Sequence, residues 1–317
     1  MMADDPDVAL VQLGEALKQL DYRHITVTPA THARVNARKS NEWAKDPTGV
    51  FGWSRPFHAE IVPEPIFKLM QKAGITEACK DGWRSTLRVS ALNNHLYFHS
   101  AWPTEPADAV FFGPDTYRYV EAMFQHFQVN ESLVPRAVDI GCGAGPGAIE
   151  LARRRPEAEV FAVDINDAAL RLTRINAILA GASIHAKRSN LLTGLDGDFD
   201  LIIANPPYMQ DPAARAYRHG GGTLGAGLSQ DIIGTALQRL NPGGTLLLYT
   251  GSAIVDGIDQ FRASTAKMLQ GKCDWSYREI DPDVFGEELE TDTYGDVDRI
   301  AAVLLCARMP GRAPKEN

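Results

Sequence analysis

A chain of 317 residues with 44% hydrophobic and 23% charged residues is long enough for more than one folded unit and has the balance of a globular protein, which points to neither a disordered chain nor a membrane protein. A formal net charge of -8 argues against broad wrapping of nucleic acid, while leaving room for a local basic patch. Cys79, Cys142, Cys273 and Cys306 are scattered without a paired spacing, so neither a zinc motif nor a disulfide framework is indicated.

The acidic start Met1-Met2-Ala3-Asp4-Asp5 lacks the basic flank of a secretory signal, and no apolar run approaches the ~20 residues of a membrane span. A cytoplasmic protein without a membrane partner is expected. The spacing then predicts an opening helix over 6–20. Between positions 32 and 55, Arg34, Arg38, Lys39, Lys45 and Arg55 interleave with Trp43, Phe51 and Trp53, a composition able to meet phosphates and stack bases. Snorkelling cations on a small packed domain use the same letters, and Glu42 and Asp46 interrupt the run. Runs at 87–92 and 95–99 joined by Asn93-Asn94 predict a hairpin. Residues 1–109 are expected to form a smaller mixed α+β domain that selects the substrate.

From about position 136 apolar strand patterns alternate with helical ones, the signature of a parallel sheet wrapped by helices. Strands are predicted at 137–140, 159–163, 183–186, 200–204 and 245–249, with helices over 167–180 and 229–240. Asn241-Pro242-Gly243-Gly244 predicts a tight turn into the fifth strand. A helix over 254–269, a strand at 275–280, a long acidic connection and a strand at 299–306 complete the pattern. With no crossover helix between them, the last two strands are expected to be antiparallel neighbours. The acidic connection, from Asp281 to Asp298, reads as a solvated loop, and 311–317 as a tail.

Three motifs fall at predicted strand ends. Asp139-Ile140-Gly141-Cys142-Gly143-Ala144-Gly145 closes the first strand and opens a helix, where glycines let the backbone approach a ligand. Asp164 ends the second strand, the place from which a carboxylate reaches ribose hydroxyls. The dinucleotide fingerprint fails because Pro146 stands where its third glycine belongs, and Asp139 would repel a pyrophosphate while tolerating a sulfonium ligand with an ammonium group. Asn190-Leu191 follows the third strand, where an amide can meet an adenine amine. Asn205-Pro206-Pro207-Tyr208 ends the fourth: a side-chain carbonyl, free proline carbonyls and a flat ring that together can cradle a planar NH2.

With these motifs, residues of about 110–310 resemble a class I S-adenosylmethionine-dependent methyltransferase, and the tetrapeptide resembles that of N-methyltransferases. The resemblance implies an α/β fold with a Rossmann-like seven-stranded sheet and S-adenosyl-L-methionine as cofactor. It places Gly141, Gly143, Gly145, Asp139, Asp164 and Ile165 on the cofactor, with Asn190, Leu191 and Asn205 beside it. The segment Phe111-Phe112-Gly113-Pro114-Asp115-Thr116-Tyr117 resembles the one such enzymes set against the methionine end, implicating Phe112 and Thr116; a plain helix entry capped by Asp115 or Thr116 fits the same letters. Asn205, Pro206, Pro207 and Tyr208 would form the catalytic cradle, Tyr208 stacking on the target.

Two groups compete within the resemblance. HemK-type enzymes methylate a glutamine amide on peptide release factors; methyltransferase-small-domain and N6-adenine enzymes act on RNA or DNA. His219-Gly220-Gly221-Gly222-Thr223-Leu224-Gly225 resembles the glycine-rich turn of the second group, and no N-terminal helical bundle of the first is legible. The acceptor is therefore protein, RNA or DNA; a catalytically silent cofactor-binding or RNA-binding module and a small-molecule methyltransferase are the alternatives. No general base is expected, and His185, His219 and Asp211 are given no catalytic role.

Overall fold

Asp5 starts the first helix, its carboxylate accepting the Asp7 N–H at 2.9 Å ahead of α1 (Pro6–Gln19), whose Leu10, Leu13 and Leu17 are fully buried at helical spacing. The computed structural model describes residues 5–130, 132–211, 215 and 217–311. Met1 to Asp4, and all of the expected tail except Gly311, lie outside the described residues. Three helices follow, α2 (Pro29–Asn36), α3 (Pro47–Phe51) and α4 (Glu64–Lys72). Two hairpins come next: β1 (Thr76–Cys79) with β2 (Gly82–Ser85), and β3 (Leu87–Leu92) with β4 (His95–Ser100). Asn93 and Asn94 take φ of +48° and +67°, the left-handed pair of a two-residue primed turn.

The larger half comprises α5 (Pro114–Val129), β5 (Arg136–Ile140), α6 (Pro146–Arg154), β6 (Glu159–Asp164), α7 (Asp167–Ala180) and β7 (His185–Arg188). It continues through β8 (Phe199–Ala204), α8 (Gly227–Arg239), β9 (Leu240–Val255), β10 (Ile258–Asp259), α9 (Gln260–Leu269), β11 (Asp274–Asp281) and β12 (Arg299–Arg308). Seven strands lie in the order β11-β12-β9-β8-β5-β6-β7, with β10 folded back on β9. The five strands from β9 to β7 run parallel, and β12 inserts antiparallel between β9 and β11. This is the expected Rossmann-like α/β sheet, and β11 and β12 are the expected antiparallel neighbours.

Three expectations need correction. The strand at 183–186 lies two residues later. The helix over 254–269 begins only at Gln260, because β9 runs on to Val255, Asp256-Gly257 turns with φ of +49° and +70°, and Asp259 caps α9 by accepting the Arg262 N–H at 2.8 Å. Residues 241–244 are no separate turn: Leu240 already pairs with Phe199 and Thr245 with Leu201, so they bulge out of β9.

The two halves share one apolar core, in which Leu10, Phe51, Val89 and Phe112 join Ile149 and Leu172. Polar contacts pin the joint. Glu150 of α6, buried, accepts from Tyr97 Oη at 2.6 Å, His95 Nδ1 at 3.0 Å and Asn93 Nδ2 at 3.1 Å. Asn176 of α7 satisfies the Phe98 N–H and carbonyl as a neighbouring strand would, at 2.8 and 3.0 Å, and donates to the Ala144 carbonyl at 2.8 Å. Among the described residues no helix is long and apolar enough to cross a membrane.

Candidate active site

Parallel register brings the ends of β5, β6 and β8 to one edge, Ile140 beside Val163 on one side and Ala204 on the other. Their loops part there around a cleft that opens to solvent. Asp139, Gly141, Gly143, Asp164, Ile165, Asn190, Leu191, Thr116, Asn205, Pro206, Pro207 and Tyr208 all border it. Residues far apart in the sequence thus meet in one place.

The glycine loop is held from below. Gly143 has φ of +56° and its N–H donates to Asp164 Oδ2 at 3.0 Å, while Asp164 Oδ1 accepts the Asn166 N–H at 2.9 Å. Burial pushes the Asp164 carboxyl above the usual range against these backbone donors. Asp139 is buried beneath the loop, accepting from Tyr119 Oη at 3.0 Å and the Ala148 N–H at 2.9 Å. Burial pushes its pKa up to about 7, with the Asp164 charge adding to the effect. The Gly141 carbonyl receives no backbone hydrogen bond from the described residues, so it stands free at the cleft.

Two expected cofactor residues do not reach this space. Phe112 is fully buried, its ring 5.1 Å from His99 and 5.6 Å from Tyr97, and its neighbour Phe111 borders the cleft instead. Gly145, with φ of +87°, is the N-cap of α6 and donates to the Cys142 carbonyl at 2.8 Å; it turns the chain, and Pro146 takes the lining position.

On the opposite wall Asn205 is half-buried and its side-chain amide makes no hydrogen bond to the described residues. The Pro206 carbonyl likewise receives no backbone donor. Both residues border the cleft, and neither acceptor is engaged by the described residues. Tyr208 is 7% exposed, its ring wedged so closely over Gly251 that a Cβ there would enter it, with Phe285 edge-on at 5.8 Å. Its hydroxyl donates to Asp115 Oδ2 at 2.6 Å. The ring expected to stack on the target is therefore a clamped wall with little free face.

Flat faces at the cleft come from residues the motifs did not single out. The Phe111 and Tyr217 rings lie 8° from parallel at 6.3 Å, and Tyr217 Oη donates to the Thr104 carbonyl at 2.6 Å. Arg218 borders the cleft paired with Glu288. Phe285 and Glu288 sit in the acidic connection, whose composition signals only solvation. The Gly220 N–H bonds to the Met209 carbonyl at 2.8 Å, folding the glycine-rich turn back on the tetrapeptide. His219 Nδ1 accepts the Asp211 N–H at 3.2 Å, and Asp211 is tied to Arg215, whose guanidinium holds its carboxyl well below the usual range. His185 is exposed on β7, away from the cleft.

Residues 120–254 match the family model described as the methyltransferase small domain. A release factor glutamine methyltransferase of Deinococcus radiodurans is 34% identical over 167 residues, covering 49% of this chain and 56% of that protein. A ribosomal protein uL3 glutamine methyltransferase of Neisseria gonorrhoeae is 35% identical over 133 residues, covering 38% and 44%. The chain spans about half the length of the curated relatives it matches. A solved tRNA m1G37 methyltransferase of M. jannaschii is similar with a TM-score of 0.48 and 18% identity, covering 74% of this chain and 59% of that one. The matched segment contains the glycine loop, Asp164 and the Asn205 tetrapeptide.

Proposed function

We propose that the chain is an S-adenosylmethionine-dependent N-methyltransferase acting on a planar NH2 group. The observation that carries this reading is the pair of open acceptors, Asn205 Oδ1 and the Pro206 carbonyl, in the same cleft as a glycine loop braced by Asp164. The residues fit the cofactor: Asp164 for the ribose hydroxyls, Ile165, Asn190 and Leu191 for the adenine, and the Gly141 carbonyl with Asp139 for a cationic amino-acid end. S-adenosylmethionine, when bound, supplies an electrophilic methyl group.

The chain's own contribution is orientation. The lone pair of an amide or aromatic amine is delocalised and weakly nucleophilic. Accepting both N–H groups at Asn205 and Pro206 fixes the nitrogen and favours the positive charge that develops on it. Open carbonyl acceptors suffice, and Asp211 and His219 are engaged with one another and Arg215.

A glutamine carboxamide on a protein of the translation machinery is the acceptor we favour, because both relatives are named for that group. All four cysteines are free, which fits a reducing, cytoplasmic setting. The test is transfer of labelled methyl from S-adenosylmethionine into fractionated cell extract. Label that survives nuclease, is released by protease and is recovered as methylated glutamine supports the reading. Label lost to nuclease moves the acceptor to nucleic acid, and absence of transfer to any fraction overturns the activity.

A further inference from the structure

Where β4 ends, the chain makes a closed loop. The Ser100 N–H donates to the Val110 carbonyl at 3.0 Å and the Val110 N–H donates to Ser100 Oγ at 2.8 Å, so residues 101–109 leave and return at one place. Among them only Ala109 is buried. From Pro103 to Asp108 the loop commits little side chain to any core, so its position depends on the bonds that it makes.

Two of those bonds come from the rim of the cleft, one from each half. Asn166 Nδ2 donates to the Asp108 carbonyl at 2.8 Å; Asn166 follows Asp164 and Ile165 and borders the cleft with them. Tyr217 Oη donates to the Thr104 carbonyl at 2.6 Å, and its neighbour Arg218 accepts through its carbonyl the N–H of Met209, next to the tetrapeptide, at 3.2 Å. Thr104 and Asp108 are four positions apart, a stretch that an extended chain spans in at most about 14 Å. The loop therefore ties the Asp164 half to the Asn205 half across that short distance. Its return limb, Ala109, Val110 and Phe111, lines the cleft itself, with the Tyr217 ring 8° from parallel to Phe111 at 6.3 Å.

Each latch is one hydrogen bond from a side chain to a backbone carbonyl, enough to hold the loop and little enough to break when a ligand passes. A loop pinned merely to brace the rim would use the same two bonds. The two roles differ in the rates of binding: a brace supports the bound state and changes release alone, whereas a barrier to passage changes entry and release together.

We propose that the loop 101–109 is a strap across the cofactor's path into and out of the cleft, with Asn166 and Tyr217 as the positioning residues that latch it. The inference rests on the reading of the cleft as an S-adenosylmethionine site. One latch stands in the acceptor half, so Tyr217 sets the rate at which a ligand of the other half comes and goes. Association and dissociation of S-adenosylmethionine are measured on the immobilised full chain, for wild type and three variants. Tyr217→Phe keeps the ring beside Phe111 and drops the bond to Thr104. Asn166→Ser keeps an oxygen to cap α7, where Asn166 Oδ1 now accepts the Ala168 N–H at 2.9 Å, and is too short for the Asp108 carbonyl. Two glycines inserted between Glu105 and Pro106 slacken the strap at exposed positions and decide the question where a substitution fails to fold. Each change is expected to speed entry and release alike, about fivefold, the scale of one hydrogen bond, with affinity moving less than about twofold. Unchanged rates in the variants that fold overturn the strap, and so does faster release alone with affinity lost in proportion, the mark of a brace. A wild-type chain that binds no S-adenosylmethionine refutes the reading of the cleft as well; binding with either of those rate patterns refutes the strap alone.

Discussion

Tyr208 donates its hydroxyl hydrogen to Asp115 Oδ2 at 2.6 Å, joining the last residue of the Asn205-Pro206-Pro207-Tyr208 tetrapeptide to the second residue of α5. Asp115 Oδ1 accepts from Tyr249 Oη of β9 at 2.9 Å and from Arg118 Nη1 at 3.1 Å, and Arg118 also pairs with Asp281 of β11 at 2.7 Å. Through one buried carboxylate the tetrapeptide is fixed to the sheet. A weak nucleophile gains most from this arrangement, since small misplacements of its acceptors lose the orientation that makes it react.

Tyr208→Phe removes one of the donors to a carboxyl whose ionised form burial already disfavours. The expected cost is about 1.5–3 kcal/mol of stability, read as a lower melting temperature, with slower methyl transfer at saturating cofactor. Unchanged melting and unchanged turnover together would remove Tyr208 and Asp115 from the positioning of the site.

The two halves of the cleft are separable. Asn205→Ala is expected to bind S-adenosylmethionine as wild type does and to lose about 100-fold in methyl transfer, the scale of one transition-state hydrogen bond. Asp164→Ala is expected to weaken cofactor binding in calorimetry, because it deletes the carboxylate proposed to meet the ribose and frees the Gly143 and Asn166 N–H groups it now holds. An Asn205→Ala enzyme with normal turnover, or an Asp164→Ala enzyme with normal affinity, would refute the corresponding assignment.

Much of this cleft was legible in the sequence because its parts sit at strand ends that apolar periodicity locates. The 199–204 run announces a buried strand, so Asn205 had to emerge at its carboxyl edge, and the same holds for Asp164 after 159–163. What stayed hidden depends on pairing between distant segments. Nothing local distinguishes Phe111 from Phe112; only the long-range packing of this segment on β4 sets the Phe112 ring against His99 in the core. Tyr208 carries an evident aromatic face, but its bond to Asp115 spans 93 positions and withdraws that face. The helix expected from 254 failed for a local reason, since Asp256-Gly257 closes a hairpin that interrupts the helical spacing.

The buried histidines give the stability a sign with pH. Burial lowers His24 to about 4 and His32 to about 3, against 6.5 in the unfolded chain. Their contribution is fully present above 6.5 and is lost as pH falls below it toward the folded values. At about pH 5.5 each histidine is expected to withdraw about 1 kcal/mol. Thermal melting between pH 7.5 and 5 in chloride should show this decline, and His24→Asn should flatten part of it. Because buried carboxyls shift stability the other way over this range, the decisive comparison is with the variant: His24→Asn and wild-type chains whose melting temperatures change in parallel from pH 7.5 to 5 would contradict neutral burial of that ring.

Asp139 carries the opposite sign. Its folded pKa of about 7 stands above the usual carboxylate value, so the folded chain binds the proton more tightly than the unfolded one, and stability falls as pH rises toward 7 and stays lowered beyond it. A ligand with an ammonium group beside this carboxylate favours the ionised form and must displace the proton. Affinity for S-adenosylmethionine is accordingly expected to tighten about tenfold between pH 6 and 8, and binding near pH 6 to release a proton, measured as a heat that varies with the ionisation enthalpy of the buffer. Asp139→Asn keeps an acceptor for Tyr119 and should abolish both effects while raising stability at pH 8. Affinity that is level across this range, with heats independent of buffer, would place the ammonium group away from Asp139 and leave the Gly141 carbonyl as its acceptor.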